Sequence, residues 1–148
     1  MSYRIISKLV DFLPPEFLHF LFLNSLKLRF FKKKKRFENL QTNVCGMSLD
    51  NPVGLAAGFD KNAEAISGIF DLGFGFVELG TVTPMPQKGN AKPRVFKIPE
   101  FEAVIQRLGF NNLGIENFVR NLKKFKKKKN NFIGVNIGKN KNSSNSFE

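Results

Sequence analysis

The feature that most restricts the fold is a set of three short apolar segments, each rich in glycine. They span residues 53–58, 76–82 and 132–138. Their length and composition are typical of strands that are buried on both faces of a parallel sheet. A helical pattern covers residues 62–72, with Gly73 as its stop, and Asn112 can cap a second helix before the last strand. This alternation of strands and helices predicts parallel βαβ units, and therefore an α/β fold.

Each predicted strand ends where glycine meets a polar side chain. The three ends lie at residues 58–61, 80–81 and 136–139. Ligands bind at the carboxyl ends of strands in parallel α/β folds, where glycine lets a flat ligand approach the backbone and Thr, Asn and Lys donate hydrogen bonds. Turn geometry explains each glycine taken alone, whereas three such ends together favour one shared binding site.

Residues 83–111 are predicted to form a long loop, which exceeds the length of an ordinary connection in a compact unit. Its last part contains Gln106, Arg107 and Asn111. Carboxamides and a guanidinium on such a loop suit the recognition of a planar, anionic substrate that bears amide groups. These residues define a chemical class of substrate and no single compound.

Residues 1–36 differ from the rest of the chain. A first helix is predicted over residues 2–13, and a second begins at Pro15 and contains ten large apolar residues. Polar residues interrupt the second helix, so it lacks the unbroken apolar span of ~20 residues that a bilayer crossing requires. Two interpretations remain open: a helix pair lying in a membrane interface, or an ordinary core helix that packs one face on the domain. The number of apolar residues favours the interface.

Nearly all of the excess positive charge lies in two short runs. The net charge is +12, and eleven positive charges lie within residues 32–36 and 123–129. Nucleic-acid binding typically requires basic residues spread over one face beside aromatic or loop contacts, which this sequence does not show. The first run suits phospholipid headgroups beside the apolar helices. The second complements the negative end of a helix dipole, or is solvated surface produced by drift in codon composition.

The composition offers little for metal or disulfide chemistry. The chain has one histidine and one cysteine, so no metal site is predicted. Cys45 has no partner for an internal disulfide, which is typical of a chain that faces the cytosol. Because it lies in an apolar stretch, its thiol is expected to be buried.

Four motifs relate the sequence to a known family. They are residues 51–61 (NPVGLAAGFDK), 78–84 (ELGTVTP), 107–112 (RLGFNN) and 136–140 (NIGKN). In order and spacing, the chain resembles the quinone-dependent (class 2) dihydroorotate dehydrogenases over essentially its whole length. The pattern formed by Pro15, Glu16 and His19 is similar to that of the membrane-associated class rather than the soluble class, which would lack residues 1–36.

The resemblance implies an architecture and an activity. Residues 37–148 would form the first three βα units of a TIM (β/α)8 barrel, and residues 1–36 a helical, membrane-associated segment through which quinone enters. The family uses FMN to oxidise dihydroorotate to orotate in pyrimidine biosynthesis and passes the electrons to a membrane quinone. The expected location is peripheral, on the cytoplasmic face of the inner membrane, with no nucleic-acid partner.

The resemblance also implies site residues by their motif positions. The FMN contacts would be Ala57, Gly58, Phe59, Asp60, Lys61, Thr81 and Asn136. The substrate contacts would be Lys61, Gln106, Arg107, Leu108, Gly109 and Phe110. The residues at the mouth of the quinone tunnel would be His19 and Lys97. The charge of Lys61 would stabilise the reduced flavin and the substrate carboxylate.

The sequence departs from the family pattern at two positions and at its end. Gln106 stands where asparagine is usual, and Lys97 stands where arginine is usual, which removes a bidentate fork. The catalytic serine base is expected beyond Glu148, so no catalytic residue is predicted in this chain, and the chain alone is expected to be an inactive portion of a longer enzyme. The alternative is a non-enzymatic, basic remnant that binds membrane surfaces or nucleic acid.

Overall fold

The structure is a computed structural model that describes residues 13–30, 38–126 and 131–144. Within these residues the helices are α1 (Pro15–Lys27), α2 (Ile66–Asp71) and α3 (Gly114–Lys124). The strands are β1 (Thr42–Val44), β2 (Met47–Leu49), β3 (Gly54–Leu55), β4 (Phe76–Val82), β5 (Val95–Ile98), β6 (Ala103–Gln106) and β7 (Phe132–Ile137). Short 3₁₀ helices cover Glu38–Leu40 and Pro99–Phe101.

Several predicted features lie outside the described residues. They are the first helix apart from its last residue, the basic run at 32–36 and residues 127–129 of the second run. The division of the chain between residues 36 and 37 also falls there and stays a prediction.

Strands β3, β4 and β7 form one parallel sheet with β4 in its centre. The register aligns Phe76 with Phe132 and Gly80 with Asn136, so the carboxyl ends of β4 and β7 lie side by side. The side chains of Val77 and Leu79 on β4 are fully buried. The parallel pairing predicted from the sequence is confirmed.

The first strand of this sheet is shorter than predicted, since β3 covers two residues of the predicted 53–58. Beyond β3 the chain stays beside β4 through two backbone hydrogen bonds. The Gly58 N–H donates to the Gly80 carbonyl at 2.6 Å, and the Gly80 N–H donates to the Asp60 carbonyl at 3.0 Å. A positive φ of 107° at Gly58 turns the chain here and ends the strand geometry.

One hydrophobic core joins the sheet to the three helices. Its buried members are Leu26, Ala63, Ala65, Ile66, Ile69, Val77, Leu79, Val82 and Phe118. Gly68 in α2 packs directly against the backbone of Leu26 in α1, where a larger side chain would clash. One face of α1 therefore belongs to the core.

The other side of α1 and the residues that follow it are exposed. Five large apolar side chains there are between 45 and 74% exposed, namely Phe17, Phe20, Leu21, Leu28 and Phe30. The core-helix interpretation thus explains only one face of α1, and the interfacial interpretation remains open for the other. Among the described residues, no helix combines the length and the apolar character needed to cross a bilayer.

Both predicted helices of the body begin later than expected. Helix α2 begins at Ile66 rather than at Asn62, because the Asp60 carboxylate accepts the backbone N–H groups of Glu64 and Ala65 at 2.9 and 2.8 Å. These bonds hold the intervening residues in turns. The helix ends as predicted, with Gly73 at a φ of 103° just past its last turn.

The predicted capping residue of α3 is displaced by one position. The N-cap is Leu113, and the helix begins at Gly114. Asn112 nevertheless serves the first turn, since its Oδ1 accepts the Gly114 N–H at 2.8 Å while its Nδ2 donates to the Thr83 Oγ1 at 2.8 Å. Asn112 therefore connects α3 to the end of β4 instead of acting as a simple cap.

The prediction of a continuous loop at residues 83–111 is wrong. The segment contains an antiparallel hairpin in which β5 pairs with β6, and Val95 lies opposite Gln106. The sequence of β5, Val-Phe-Lys-Ile, lacks the apolar–polar alternation from which a half-buried strand is predicted.

The expectation of a buried thiol at Cys45 is also wrong. Cys45 is exposed and has a φ of 48°, and Gly46 follows with a φ of 78°. The two residues form the turn between β1 and β2. Two successive positive φ angles are typical of the tight turn that connects such a hairpin, and this turn places the Cys45 side chain in solvent.

Candidate functional site

The carboxyl ends of the parallel strands place polar side chains together. Thr81 at the end of β4 donates its hydroxyl to the Asn136 Oδ1 of β7 at 2.6 Å. The Asn136 Nδ2 donates to the Glu78 Oε1 at 3.1 Å. These bonds fix the orientation of the Asn136 carboxamide. The expected convergence of the second and third strand ends is thus present.

The end of β3 provides open space beside this pair. A side chain built at Gly58 would have no atom within 4 Å, although the φ of 107° strains any residue other than glycine. By contrast, Gly80 packs directly against the Asn136 carbonyl. Ala57 and Phe59 flank Gly58 and are half-buried. The small residues at 57–58 therefore leave a gap over the backbone that a flat ligand could fill.

Lys61 lines a cleft of about 300 Å³ between α1, the end of β3 and the β5–β6 hairpin. Burial lowers the pKa of Lys61, and the positive charge of Arg94 lowers it further, while the carboxylates of Glu16 and Asp60 partly offset both effects. Within the described part of the chain, the Lys61 ammonium group has no hydrogen bond or ion pair. A half-buried cation without a direct partner is well placed to bind an anion.

Asn111, one of the carboxamides that the sequence places on the predicted recognition loop, lines the same cleft. Its Oδ1 is buried and, among the described residues, lacks a hydrogen-bond partner. Buried polar atoms in folded proteins are almost always paired. This oxygen can accept a hydrogen bond from a ligand N–H group. The sequence indicated a recognition role for this carboxamide from its place on the loop, but not that its oxygen is buried without a partner.

His19 connects α1 to the chain that follows β3, next to Gly58. Its Nε2 lies 2.6 Å from the Phe59 carbonyl oxygen, and its ring packs edge-on against the Phe59 ring at a centroid distance of 5.1 Å. His19 and Phe59 both line the cleft. The structure therefore brings together a residue predicted for quinone entry and residues predicted for the cofactor. Lys97 lies on β5, two residues after Val95, which lines the cleft.

The predicted substrate segment is only partly directed into the cleft. Gln106 and Leu108 line it, and the Gln106 Oε1 accepts the Leu108 N–H at 3.0 Å. Arg107 points elsewhere, because its guanidinium lies over the Phe96 ring and donates to the Pro93 carbonyl. The remaining two predicted contacts, Gly109 and Phe110, do not line the cleft in this structure.

The Asp60 side chain binds the protein's own backbone rather than facing the cleft. It is almost fully buried, and its carboxylate accepts the N–H groups of Glu64 and Ala65. Burial raises the pKa of this carboxyl group, although the two backbone hydrogen bonds lower it again in part. The side chain of Asp60 shapes the turn after Gly58, and so positions Lys61.

A partly buried ion pair that sequence reasoning missed holds Glu16, which lines the cleft, to Arg94 behind it. Arg94 is almost fully buried, and its Nε and Nη2 donate to the Glu16 Oε1 at 3.0 and 2.7 Å. Its Nη1 donates to the carbonyls of Lys88 and Asn90. The pair joins α1 to β5 across 78 positions of the chain. No local sequence pattern links two residues that far apart.

The Glu16–Arg94 pair makes a pH-dependent contribution to stability. The hydrogen bond from Arg94 is the main cause that lowers the pKa of Glu16, against the opposing effect of burial. The stabilisation is therefore fully present above the ordinary pKa of glutamate and is lost as the pH falls through the lowered value. We expect the urea midpoints of the wild-type chain and Glu16→Gln to differ at pH 7 and to converge on acidification. A constant difference would contradict this prediction.

The described residues contain no group of three or more His, Cys, Asp or Glu side chains that could hold a metal ion. The residues that line the cleft include the Lys61 cation and the carboxamides of Gln106 and Asn111.

The family model and the curated relatives that match this chain all carry the description dihydroorotate dehydrogenase. The family model described as dihydroorotate dehydrogenase matches residues 39–148. A dihydroorotate dehydrogenase (quinone) of Buchnera aphidicola subsp. Schizaphis graminum is 48% identical over 146 residues, which cover 95% of this chain and 43% of the relative. The protein of the same description from Coxiella burnetii is 48% identical and is covered to 41%.

Solved structures agree with the sequence relatives. The crystal structure of DHODH from Eimeria tenella in complex with ferulenol has a TM-score of 0.83 and 40% identity, over 91% of this chain and 38% of that one. The ligand-free DHODH of the same organism has a TM-score of 0.80 and 39% identity. The chain thus spans about two-fifths of the length of these similar proteins.

Proposed function

Since the chain belongs to the dihydroorotate dehydrogenase family, we propose that it supplies part of the active site of a quinone-dependent dihydroorotate dehydrogenase. Such an enzyme oxidises dihydroorotate to orotate in pyrimidine biosynthesis and reduces a membrane quinone. The main structural support is the cleft in which the unpaired Lys61 cation lies beside the strand ends. The family match favours this function over that of a basic remnant that binds membranes or nucleic acid.

The proposed fold of the whole protein is a TIM barrel to which this chain contributes the first three βα units. The parallel order β3–β4–β7, with α2 and α3 as the intervening helices, supports this assignment. In barrels of this type, active sites lie at the carboxyl ends of the strands, which is where the cleft and the Thr81–Asn136 pair lie.

The proposed cofactor is FMN, which supplies two-electron redox chemistry when bound. The residues present fit a flat ligand of this kind. Ala57 and Gly58 leave the space over the backbone open, and Thr81 and Asn136 provide polar groups at the neighbouring strand ends. The carboxylate of Asp60 is turned toward its own backbone, so its proposed role is to shape the cofactor loop rather than to contact FMN.

The proposed substrate contacts divide by chemistry. The charge of Lys61 stabilises the substrate carboxylate and the negative charge that develops on reduction. Gln106 and Asn111 present carboxamides that match the amide edges of a dihydropyrimidine ring. No residue of the described chain is proposed as the catalytic base.

We further propose that quinone approaches along α1, between His19 and the exposed apolar residues of that helix. Phe17, Phe20 and Leu21 form the exposed face, and His19 lies on the side that contacts Phe59. An apolar helix face of this kind suits the boundary between headgroups and acyl chains. We propose a peripheral location at the cytoplasmic face of the inner membrane, which an exposed apolar helix face suits.

A chimera tests the proposed function. This chain would replace the 146 aligned residues of the Buchnera relative, and oxidation of dihydroorotate would be followed with a short-chain ubiquinone analogue. We expect turnover at a rate comparable with that of the unmodified relative. A soluble, folded chimera that oxidises no dihydroorotate would contradict the proposal.

A further inference from the structure

A second cavity of about 240 Å³ lies between the end of α1, the start of α2 and the end of α3. Its charged lining consists of Lys27, Arg29, Glu64 and Lys124. The cavity shares no lining residue with the cleft described above, and the proposed reaction does not use it. It also joins regions near the two basic runs of the sequence, which lie about a hundred positions apart.

Arg29 adopts a conformation that normally selects glycine. It follows the C-cap of α1 with a φ of 54°, its N–H donates to the Leu26 carbonyl, and the next N–H, of Phe30, donates to the Ser25 carbonyl. This is the Schellman arrangement, in which the left-handed position is usually glycine. The strained position holds the Arg29 guanidinium at the cavity, 2.6 Å from the Asp71 carboxylate.

The cations around this cavity outnumber the acids. Lys27 pairs with Glu64 at 3.2 Å, and Arg29 pairs with Asp71. Lys124 has only an amide partner among the described residues, the Asn121 Oδ1 at 3.5 Å. The last turn of α3 contains a further exposed lysine next to Lys124, so the net charge of this surface is positive.

Apolar side chains lie directly beside these charges. Leu28 and Phe30 flank Arg29 in the chain and are 70 and 74% exposed. The exposed face of α1 that begins at Phe17 ends at the same place. Cations beside exposed apolar side chains match a membrane interface, where headgroup phosphates and acyl chains are adjacent. Nucleic acid would match the charges but leave these apolar residues in water.

We propose that this cavity binds the phosphodiester headgroup of an anionic phospholipid. The guanidinium of Arg29 and the ammonium of Lys124 contact the phosphate, while Leu28 and Phe30 enter the acyl boundary. The inference rests on the proposed membrane association of α1 but not on the dehydrogenase activity. It gives the second basic run, at the end of α3, a role in membrane binding.

Vesicle sedimentation with the full chain tests this site. Vesicles of phosphatidylcholine alone are compared with vesicles that also contain about 30% phosphatidylglycerol, an anionic phospholipid. We expect tighter binding to the anionic vesicles, and a loss of about fivefold in that affinity for Lys124→Gln. Arg29→Gly removes the cation and suits the left-handed position, but it leaves the buried Asp71 carboxylate without its partner. It is therefore combined with Asp71→Asn, and the double variant should lose affinity while α1 keeps its end. Lys88→Gln, an exposed lysine outside the cavity, is the matched control and should bind as wild type.

Four outcomes separate the possibilities. Equal losses for Lys88→Gln and Lys124→Gln would overturn the proposal, because they would indicate diffuse attraction. Binding to both vesicle types without an anionic preference would support α1 association and overturn the headgroup site. Tighter binding to duplex DNA than to anionic vesicles would overturn it in favour of nucleic acid. Full release of the chain from vesicles by millimolar inorganic phosphate at constant ionic strength would overturn it in favour of a free-phosphate site.

Discussion

Replacing Lys61 with methionine in the chimera is expected to lower kcat/KM for dihydroorotate by about 10²- to 10³-fold. Lys61 is the half-buried cation of the cleft, and the carboxylates of Glu16 and Asp60 offset the cost of its burial only in part, so an anion bound beside it would stabilise its charge further. Methionine has a similar length and no charge, so the change removes the electrostatic contribution while it preserves packing. Steady-state assays with dihydroorotate and a quinone analogue measure the effect. Lys141→Met, at an exposed lysine outside the cleft, is the control.

The same change is expected to stabilise the ligand-free chain. A buried charge without a direct partner destabilises the fold, so Lys61→Met should raise the free energy of unfolding by about 1 kcal/mol at pH 7. Because the pKa of Lys61 is lowered in the folded state, the difference should shrink as the pH rises through that lowered value and the wild-type lysine becomes neutral. Urea denaturation measures both effects. A variant that is fully active and less stable would contradict this role for Lys61.

Arg94→Met is expected to lower the free energy of unfolding by about 3 kcal/mol. The change leaves the Glu16 carboxylate without its hydrogen-bonded partner, and it also leaves the carbonyls of Lys88 and Asn90 unpaired. Because the pair connects α1 to β5, we expect α1 to detach before the sheet unfolds. Urea denaturation at pH 7 measures the loss, and hydrogen exchange of α1 amides locates it.

Arg107→Met provides the matched control for Arg94. It removes the same charged group thirteen positions away, where the side chain is exposed and, among the described residues, contacts the Phe96 ring and donates to the Pro93 carbonyl. Its effect on stability should stay within about 0.5 kcal/mol. Equal losses of unfolding free energy for the two variants would contradict a specific contribution of the Glu16–Arg94 pair to stability.

The parts of the fold that were predictable depend on local patterns. The strands β4 and β7 are short apolar runs, Gly73 ends α2, and the polar residues at the strand ends follow from the same pattern. The resemblance to a family added the residues of the cleft, of which Lys61 and Gln106 lie together in the structure. Local hydrophobic patterns predicted those strands and helix ends that are determined by the sequence of the element itself.

The features that were missed depend on contacts between distant residues. The Glu16–Arg94 pair spans 78 positions, and Asp60 delays the start of α2 through hydrogen bonds made by a buried carboxylate. The hairpin of β5 and β6 is stabilised by pairing of strands that do not alternate individually. The burial of the Asn111 carboxamide oxygen without a partner, in the cleft that Lys61 also lines, likewise depends on the fold. Tertiary structure created each of these features, so no window of sequence could reveal them.

The flavin content of the purified chimera tests the central claim most directly. The claim is that Gly58, Lys61, Thr81 and Asn136 of this chain form part of an FMN site. We expect about one FMN per chain and a change in the visible flavin spectrum when orotate is added. A folded chimera that binds no flavin, while the unmodified relative prepared in parallel retains it, would contradict the account.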